Sequence, residues 1–416
     1  MLKDKWNGIT KQISTCIRWV VIALITGVVI GPVGALFVRS MGFVTSLREQ
    51  HPMILLGLPL AGLVIVFLYK ICNYENDGGT NLVISTLHAK SQIPFRMAPL
   101  IFVSTIITHL FGGSAGREGA ALQLGGSIAN QLGRWFHMDE DDIKIIVRSG
   151  MSAAFSAIFG TPLAAVVFAL EVGNVGNMHY AALVPCMLAS LVASSISTML
   201  GAHAEAFTIT EPVSFSLVPA LKIAFLGICC ALISVLFCYL LHKVGHLLNE
   251  YFKNAYVRIL VGSVLVIGLT VILQTTAYSG AGVNLIEEAF AGESPKTAFI
   301  WKMIFTAITL GAGFKGGEIV PSFTIGATFG CLFGTALGLS PSLCAAVAMV
   351  SVFCGVTNCP IASLLIGFEL FGFGAMKYLL IGISITYLLS GYGGLYSEQT
   401  IVFSKLEEKI INKKAQ

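Results

Sequence analysis

Five apolar runs, Ile17 to Phe37, Met53 to Ile71, Ala181 to Leu200, Ser216 to Leu241 and Val257 to Leu273, each have the length a straight helical crossing of a bilayer requires, roughly 20 residues for a core of about 30 Å. A soluble fold could not cover them. Hydrophobic residues make up 56% of the 416 and charged residues 11%, with a mean hydropathy of +0.84, so the chain reads as an all-α polytopic membrane protein. The net charge of +4 gathers at the two ends and forms no stripe that would follow a phosphate backbone, which argues against nucleic acid as a partner. The ten cysteines sit mostly inside apolar runs and show no C-x-x-C spacing, so they read as reduced packing residues, with no metal or other cofactor implied. The first run is too long for a signal-peptide core and no A-x-A-like site follows it, so it is expected to stay attached.

The other apolar segments are shorter, or are cut by Gly and Pro: Pro99 to Gly113, Gly119 to Leu132, Ile143 to Gly160, Pro162 to Val172, Ala298 to Gly313, Pro321 to Leu339, Ala345 to Gly355 and Pro360 to Gly374. They predict half-length or tilted helices. Broken backbone at membrane depth survives only inside protein or beside a polar cavity, so the breaks point to a permeation site. Basic residues precede the first span (Lys3, Lys5, Lys11, Arg18) and follow the last (Lys405, Lys409, Lys413, Lys414), which places both termini in the cytoplasm. Residues 1–15 then form a cytoplasmic or interfacial helix, and 403–416 a cytoplasmic tail expected to be a short charged helix.

Between these ends the chain repeats itself. Gly113-Ser-Ala-Gly116-Arg117-Glu118 falls 200 residues before Gly313-Phe-Lys-Gly316-Gly317-Glu318, and Gly126 stands likewise before Gly326. Pro162 and Glu171 find counterparts in Pro360 and Glu369, each Glu nine residues past its Pro. Two homologous halves, 16–205 and 206–402, broken at corresponding places, are the mark of a transporter whose site lies between repeats near the midplane.

Four acids lie in the short apolar segments, where a carboxylate is costly and functional by default: Glu118, Glu171, Glu318 and Glu369. Glu118 stands at the broken start of a helix, where free N–H groups favour an anion. A tethered carboxylate can occupy that place until a dissolved anion displaces it, and protonation eases its departure. The two movements are thereby coupled. The other reading of Glu118 is a helix cap paired with Arg117. Glu318 precedes Ile319-Val320-Pro321 at a second helix start, where it either relays protons or salt-bridges Lys315. For Glu171 and Glu369, packing or interfacial pairing is the simpler reading.

Gly116-Arg117-Glu118-Gly119, Gly316-Gly317-Glu318-Ile319-Val320-Pro321, Pro162-Leu-Ala and Tyr396 in Gly393-Gly-Leu-Tyr396-Ser, in that ordered set, resemble the CLC family of anion channels and proton-coupled anion exchangers. The resemblance covers essentially the whole membrane domain. It implies a CLC-type fold of two inverted repeats, a homodimer with one anion pathway per subunit, and a place in the plasma membrane. It further implies Glu118 as the gating glutamate at the outer side and Glu318 as a second group in gating or proton transfer. The implied anion contacts are Arg117, Gly119, Gly317, Ile319, Val320 and the Tyr396 hydroxyl.

Departures from the chloride-type pattern bear on the substrate. The usual G-S-G-I-P stretch is replaced by Gly78-Gly79-Thr80-Asn81-Leu82, leaving Gly79, Thr80 and Asn81 as candidate anion contacts or as a simple loop cap. Val172 stands where an inner acid is usual, Glu318 replaces an apolar residue, and Ala120 replaces the common Pro. An added pathway glutamate with loss of the serine resembles the bacterial fluoride/proton antiporter branch. Fluoride is small and strongly hydrated, and shedding its water demands dense N–H and O–H donors. The expected function is therefore export of fluoride in exchange for H+, with chloride/proton exchange or a gated chloride channel as the alternative.

Three further motifs carry less. Gly112-Gly113-Ser114-Ala115-Gly116 spells a nucleophile elbow without the strand-turn-helix setting, and Gly311 to Gly316 spells G-x-G-x-x-G without a βαβ unit. His242 and His246 share a helix face but lack the glutamate of a zinc motif, which favours an interfacial position. An intramembrane hydrolase built on Ser114 and a purely structural scaffold are the competing classes. The first is tested by a serine-reactive probe, and the second leaves buried Glu118 and Glu318 without a purpose.

Overall fold

The structure, a computed structural model, describes residues 2–75, 77–88, 92–202, 206–210 and 214–415. Six segments are long and apolar enough to cross a membrane: Gln12–Gln50, Pro52–Ile71, Tyr180–Met199, Leu217–Tyr251, Ala255–Leu273 and Ile319–Leu337. The described helices fall into two sets of eight in matching order. The first holds α1 (Leu2–Gln50), α2 (Leu58–Ile71), α3 (Gly79–Ser85), α4 (Met97–Leu110), α5 (Glu118–Trp135), α6 (Glu140–Phe159), α7 (Pro162–Glu171) and α8 (Leu183–Met199). The second holds α9 (Leu217–Tyr251), α10 (Ala255–Leu273), α11 (Val283–Ala291), α12 (Ala298–Ala312), α13 (Ile319–Leu337), α14 (Pro341–Thr357), α15 (Pro360–Phe371) and α16 (Met376–Leu389).

Each break has a local cause. Gly160 ends α6 at φ 78° and Asn358 ends α14 at φ 56°, left-handed positions that stop a helix. Shortly after each stop, Pro162 and Pro360 open α7 and α15 at the first helical position. α7 and α15 then cap each other across the repeat boundary. The Glu369 carboxylate accepts from Leu163 N (2.9 Å) and Ala164 N (2.8 Å), while Glu171 accepts from Ile361 N (3.4 Å) and Ala362 N (3.0 Å). Each acid at a helix end satisfies the orphan amides of its partner's start. Glu369→Ala should strand two of those amides and lower stability by about 2 kcal/mol or more, with Glu369→Gln, which keeps one acceptor, losing less. Thermal unfolding in detergent checks this; equal midpoints for the wild type and both variants would show the crossed caps to be idle.

Between the repeats, five phenylalanines close a ring: Phe155, Phe159, Phe323, Phe353 and Phe168, with successive centroids 5.6, 5.4, 5.0, 5.7 and 5.4 Å apart. These offset and edge contacts fix the seam on which the broken helices rest.

Two expectations for the ends change. The helix expected at the start is not separate: from Leu2 the backbone runs into the first crossing as one 49-residue helix, α1, with Gly8 the sole Gly or Pro among residues 2–26. The side chains of Lys3, Lys5 and Lys11 lie outside the described residues. The tail is strand, not helix. β2 (Thr400–Phe403) pairs in parallel with β1 (Asn174–Val175) and antiparallel with β3 (Ile410–Lys414), since Thr400-Ile401-Val402-Phe403 and Ile410-Ile411 are β-branched and aromatic. The tail is pinned where α14 and α16 end: Lys405 Nζ donates to Asn358 Oδ1 (2.6 Å) and Ser390 Oγ (3.1 Å). Burial pushes this ammonium down to about 8.

Candidate functional site

The two glycine-rich breaks meet. Gly116 and Gly317 form an isolated antiparallel bridge, with Gly116 N donating to Gly317 O (2.5 Å) and Gly317 N to Gly116 O (2.7 Å). The starts of α5 and α13 are thereby held together at the repeat boundary. Only glycine permits this approach: a Cβ on Gly317 would lie 2.5 Å from Gly119 N, and one on Gly119 would lie 2.8 Å from Gly317 Cα. The bridge also uses up the Gly317 N–H, so the expected anion contact at Gly317 is not offered by its amide. Among the described residues, the uncapped amides at this crossing belong to the first turn of α13, at Ile319 and Val320, and to that of α5, at Gly119 and Ala120, since no side chain caps either helix.

Glu118 is fully buried. Its Oε2 accepts from the backbone N of Arg117 (3.2 Å) and its Oε1 from Arg117 Nε (3.2 Å). The carboxylate therefore sits on an amide of the broken helix start, the tethered occupant expected there, and Arg117 faces this carboxylate as an ion-pair partner. The expected pairing with Arg117 is present, although no side chain caps the start of α5. What decides its role is the neighbouring space, because a cavity reaches Arg117 on this side.

Glu318 is placed differently. Lys315 pairs with Asp77 (Nζ to Oδ2, 2.9 Å), so the alternative of a Glu318–Lys315 bridge is not realised, and among the described residues Glu318 has no ion-pair partner. Its side chain turns back across the crossing, and Oε2 lies 3.2 Å from where a Cβ of Gly119 would stand. A second cavity, of about 250 Å³, opens on Glu318 together with Tyr396, Thr80, Asn81, Gln123 and His242. Tyr396 is 1% exposed and its hydroxyl has no partner among the described residues. A buried hydroxyl left unmatched beside a cavity is a donor awaiting an acceptor.

The α3 start is less open than its sequence suggests. Gly79 N donates to Asp77 Oδ1 (2.9 Å), and Asn81 Oδ1 accepts from Glu398 N (3.3 Å). Thr80 Oγ1 donates to Gly119 O (3.4 Å) and accepts from Gln123 Nε2 (3.2 Å). Thr80 and Asn81 line the cavity, but Gly79's amide is already taken. Sequence reasoning misses Asp77 and Gln123, which hold this loop; a lone Asp before two glycines is the available signal. It also places His242 only at an interface, whereas this residue lines the Glu318 cavity. Val172 is fully buried, its carbonyl accepting from Gln399 Nε2 (3.0 Å). Ser114 shares a hydrogen bond with Thr306 Oγ1 (3.0 Å) at zero exposure, and among the described residues no His bonds to it as a nucleophile requires.

The chain as a whole is similar to known proteins. The family model described as Voltage gated chloride channel matches residues 61–391. A chloride/fluoride channel protein of Pseudomonas syringae pv. tomato is 35% identical over 93% of this chain and 87% of its own length. An H(+)/Cl(-) exchange transporter, ClcA, of Vibrio parahaemolyticus is 24% identical over 88% of this chain and 85% of its own. Among solved structures, the crystal structure of a CLC-type fluoride/proton antiporter superposes with a TM-score of 0.89 at 34% identity, covering 92% of this chain and 98% of that one. A slow cyanobacterial Cl−/H+ antiporter gives 0.79 at 20% identity, covering 90% and 94%, and shows the fold alone.

Proposed function

The chain belongs to the voltage gated chloride channel, or CLC, family, and we propose that it is a proton-coupled antiporter that exports fluoride in exchange for H+. It is a multi-pass membrane protein and not an enzyme. The observation that carries the proposal is the convergence of two carboxylates, one from each repeat, on crossed helix starts: Glu118 on an amide of its own break, and Glu318 without a basic partner among the described residues, beside the unpaired Tyr396 hydroxyl. An ionised group at such depth without a counter-charge costs about 3 kcal/mol. Protonation removes that cost.

A protonated carboxyl donates a hydrogen bond where a carboxylate only accepts one. Fluoride in the crossing can therefore be held by the Ile319 and Val320 amides, the Tyr396 hydroxyl and the carboxyl protons themselves, donors dense enough to replace its water. When fluoride leaves, an ionised Glu118 returns to the amide. Anion and proton thus occupy the site in exchange. The lysines and arginines at both ends support cytoplasmic termini, with Glu118 towards the outer side. Exposed Leu163 and Ile361 beside the crossed caps (49% and 47%) suit burial against a second copy, in a homodimer.

Liposomes loaded with fluoride test the reading directly: efflux should drive H+ uptake against a pH gradient, with fluoride moving much faster than chloride. Halide flux that follows voltage alone, with no proton counterflow, would reject antiport. Comparable coupled rates for the two halides would favour the chloride/proton alternative.

A further inference from the structure

Opposite the Glu318 cavity, a separate cavity of about 320 Å³ opens between the last turn of α1, Arg117, the loop Ser279–Gly282 and the first turn of α11. In the inverted repeat α11 stands to the second half as α3 does to the first, so this loop, Ser279-Gly280-Ala281-Gly282-Val283, is the twin of the Gly78–Leu82 turn at the other mouth. The twin turn has its first amide occupied by Asp77; here the capping acid is missing.

How the loop is held decides what it offers. Lys302, with no solvent exposure, donates from Nζ to Tyr278 O (3.1 Å) and Gly280 O (2.7 Å), and Thr324 Oγ1 donates to Ala281 O (3.2 Å). These contacts turn the Gly280 and Ala281 carbonyls away from the cavity, and a trans peptide points its N–H opposite to its C=O. The Ala281 and Gly282 N–H groups, which have no partner among the described residues, consequently face the side that the cavity occupies. Gly280 and Gly282 adopt φ +63° and +90°, conformations that let successive amides converge into an anion-holding nest.

Three further features point the same way. α11 begins at Gly282 with no side-chain cap and no acid in its first turn. Ser279 is 4% exposed, lines the cavity, and its Oγ has no partner among the described residues. Arg48 lines it too, held by one bond from Nη1 to His109 O (2.9 Å) and set 3.9 Å from Glu49. Glu49 is the one carboxylate among the lining residues, and it accepts from Asn284 Nδ2 (3.0 Å). Lys302 behind the loop has no carboxylate within ion-pair distance among the described residues. The positive field at the cavity comes from Arg48 and Arg117, which line it.

We infer that this cavity is an anion-docking site, in which a halide is held by the Ser279 hydroxyl, the Ala281 and Gly282 amides and the Arg48 guanidinium before or after it passes Glu118. The inference rests on the transport reading for the identity of its ligand. It adds a second station to the pathway, beside the same Arg117 that holds Glu118, so that a docked anion and the Glu118 carboxylate draw on one guanidinium.

The test is a bromide soak of crystals of the full chain combined with fluoride-exchange kinetics. Bromide should give an anomalous peak within hydrogen-bond distance of Ser279 Oγ, absent in Ser279→Ala. The half-saturating fluoride concentration should rise roughly fivefold in Ser279→Ala and at least as much in Arg48→Gln, with Arg48→Lys intermediate because it keeps the charge. Should Arg48→Gln fail to fold for loss of the His109 contact, Ser279→Ala decides alone. A wild-type crystal without bromide at this loop, or a half-saturation unchanged in folded Ser279→Ala, overturns the docking site. A wild type that moves no halide overturns the transport reading instead, and the bromide peak still decides whether an anion binds here.

Discussion

Glu118→Gln should abolish the proton counterflow while leaving halide movement measurable. The carboxamide has the volume of the acid, and its oxygen can still accept from the Arg117 backbone N that now holds Oε2, so the start of α5 should keep its shape. What it cannot do is take up and release a proton. Loss of a positioned proton-transfer group costs a factor on the order of a hundred or more, and in the proposed exchange the group is also the competitor that ties anion exit to proton arrival. Proton uptake during fluoride efflux from liposomes, read with a pH electrode beside a fluoride electrode, should fall to the leak level. Glu118→Ala should lose the counterflow equally and pass halide faster, because no side chain then returns to the amide. Proton uptake within roughly twofold of wild type in either variant, against that expected hundredfold loss, would show that residue 118 does not carry the coupling.

Much of this arrangement is legible in the amino-acid sequence itself. Gly113, Gly116 and Glu118 repeat as Gly313, Gly316 and Glu318, and that offset locates the crossing because close backbone approach leaves few residue types to choose from. Helix ends are legible at Gly160-Thr-Pro162 and Asn358-Cys-Pro360 for the same reason. The partners of polar groups are not. Asp77 lies far from Lys315 along the chain, and nothing local distinguishes a lysine that pairs with Glu318 from one that pairs across the molecule. Nor does the Gly116–Gly317 bridge follow from the glycines that permit it, so residue order alone presents the Gly317 amide as a free donor when it is spent. The five-phenylalanine seam is hidden because helices buried on all sides show no apolar stripe to read. The tail misleads through its charge: lysines and glutamates suit a helix, but the β-branched residues at 400–402 and 410–411 have a strand edge at Asn174–Val175 waiting for them.

Glu318 is where the largest remaining effect is expected. Its carboxylate makes no side-chain cap at the start of α13 and pairs with no basic residue among the described ones, so removing it should cost little stability, and size-exclusion profiles of Glu318→Gln and Glu318→Ala should match wild type. Function should respond far more. A proton travelling between the Glu318 cavity and the Arg117 side has to cross the junction where Gly116 and Gly317 pair, and of the titratable groups that line that cavity Glu318 is the one next to the junction, with Asp77 and Lys315 paired to each other. Proton turnover in both variants should therefore drop on the order of a hundredfold, while the fluoride-over-chloride preference narrows most in Glu318→Ala, which alone removes the donor. Two groups acting in series give a further signature. Once either is lost the relay is already broken, so Glu118→Gln with Glu318→Gln should lose no more proton flux than the worse single variant, a strongly non-additive result. Independent losses that multiply would mean that the two carboxylates serve separate routes, and a proton flux in Glu318→Ala within roughly threefold of wild type, far short of the loss a relay group should cause, would remove residue 318 from the route altogether.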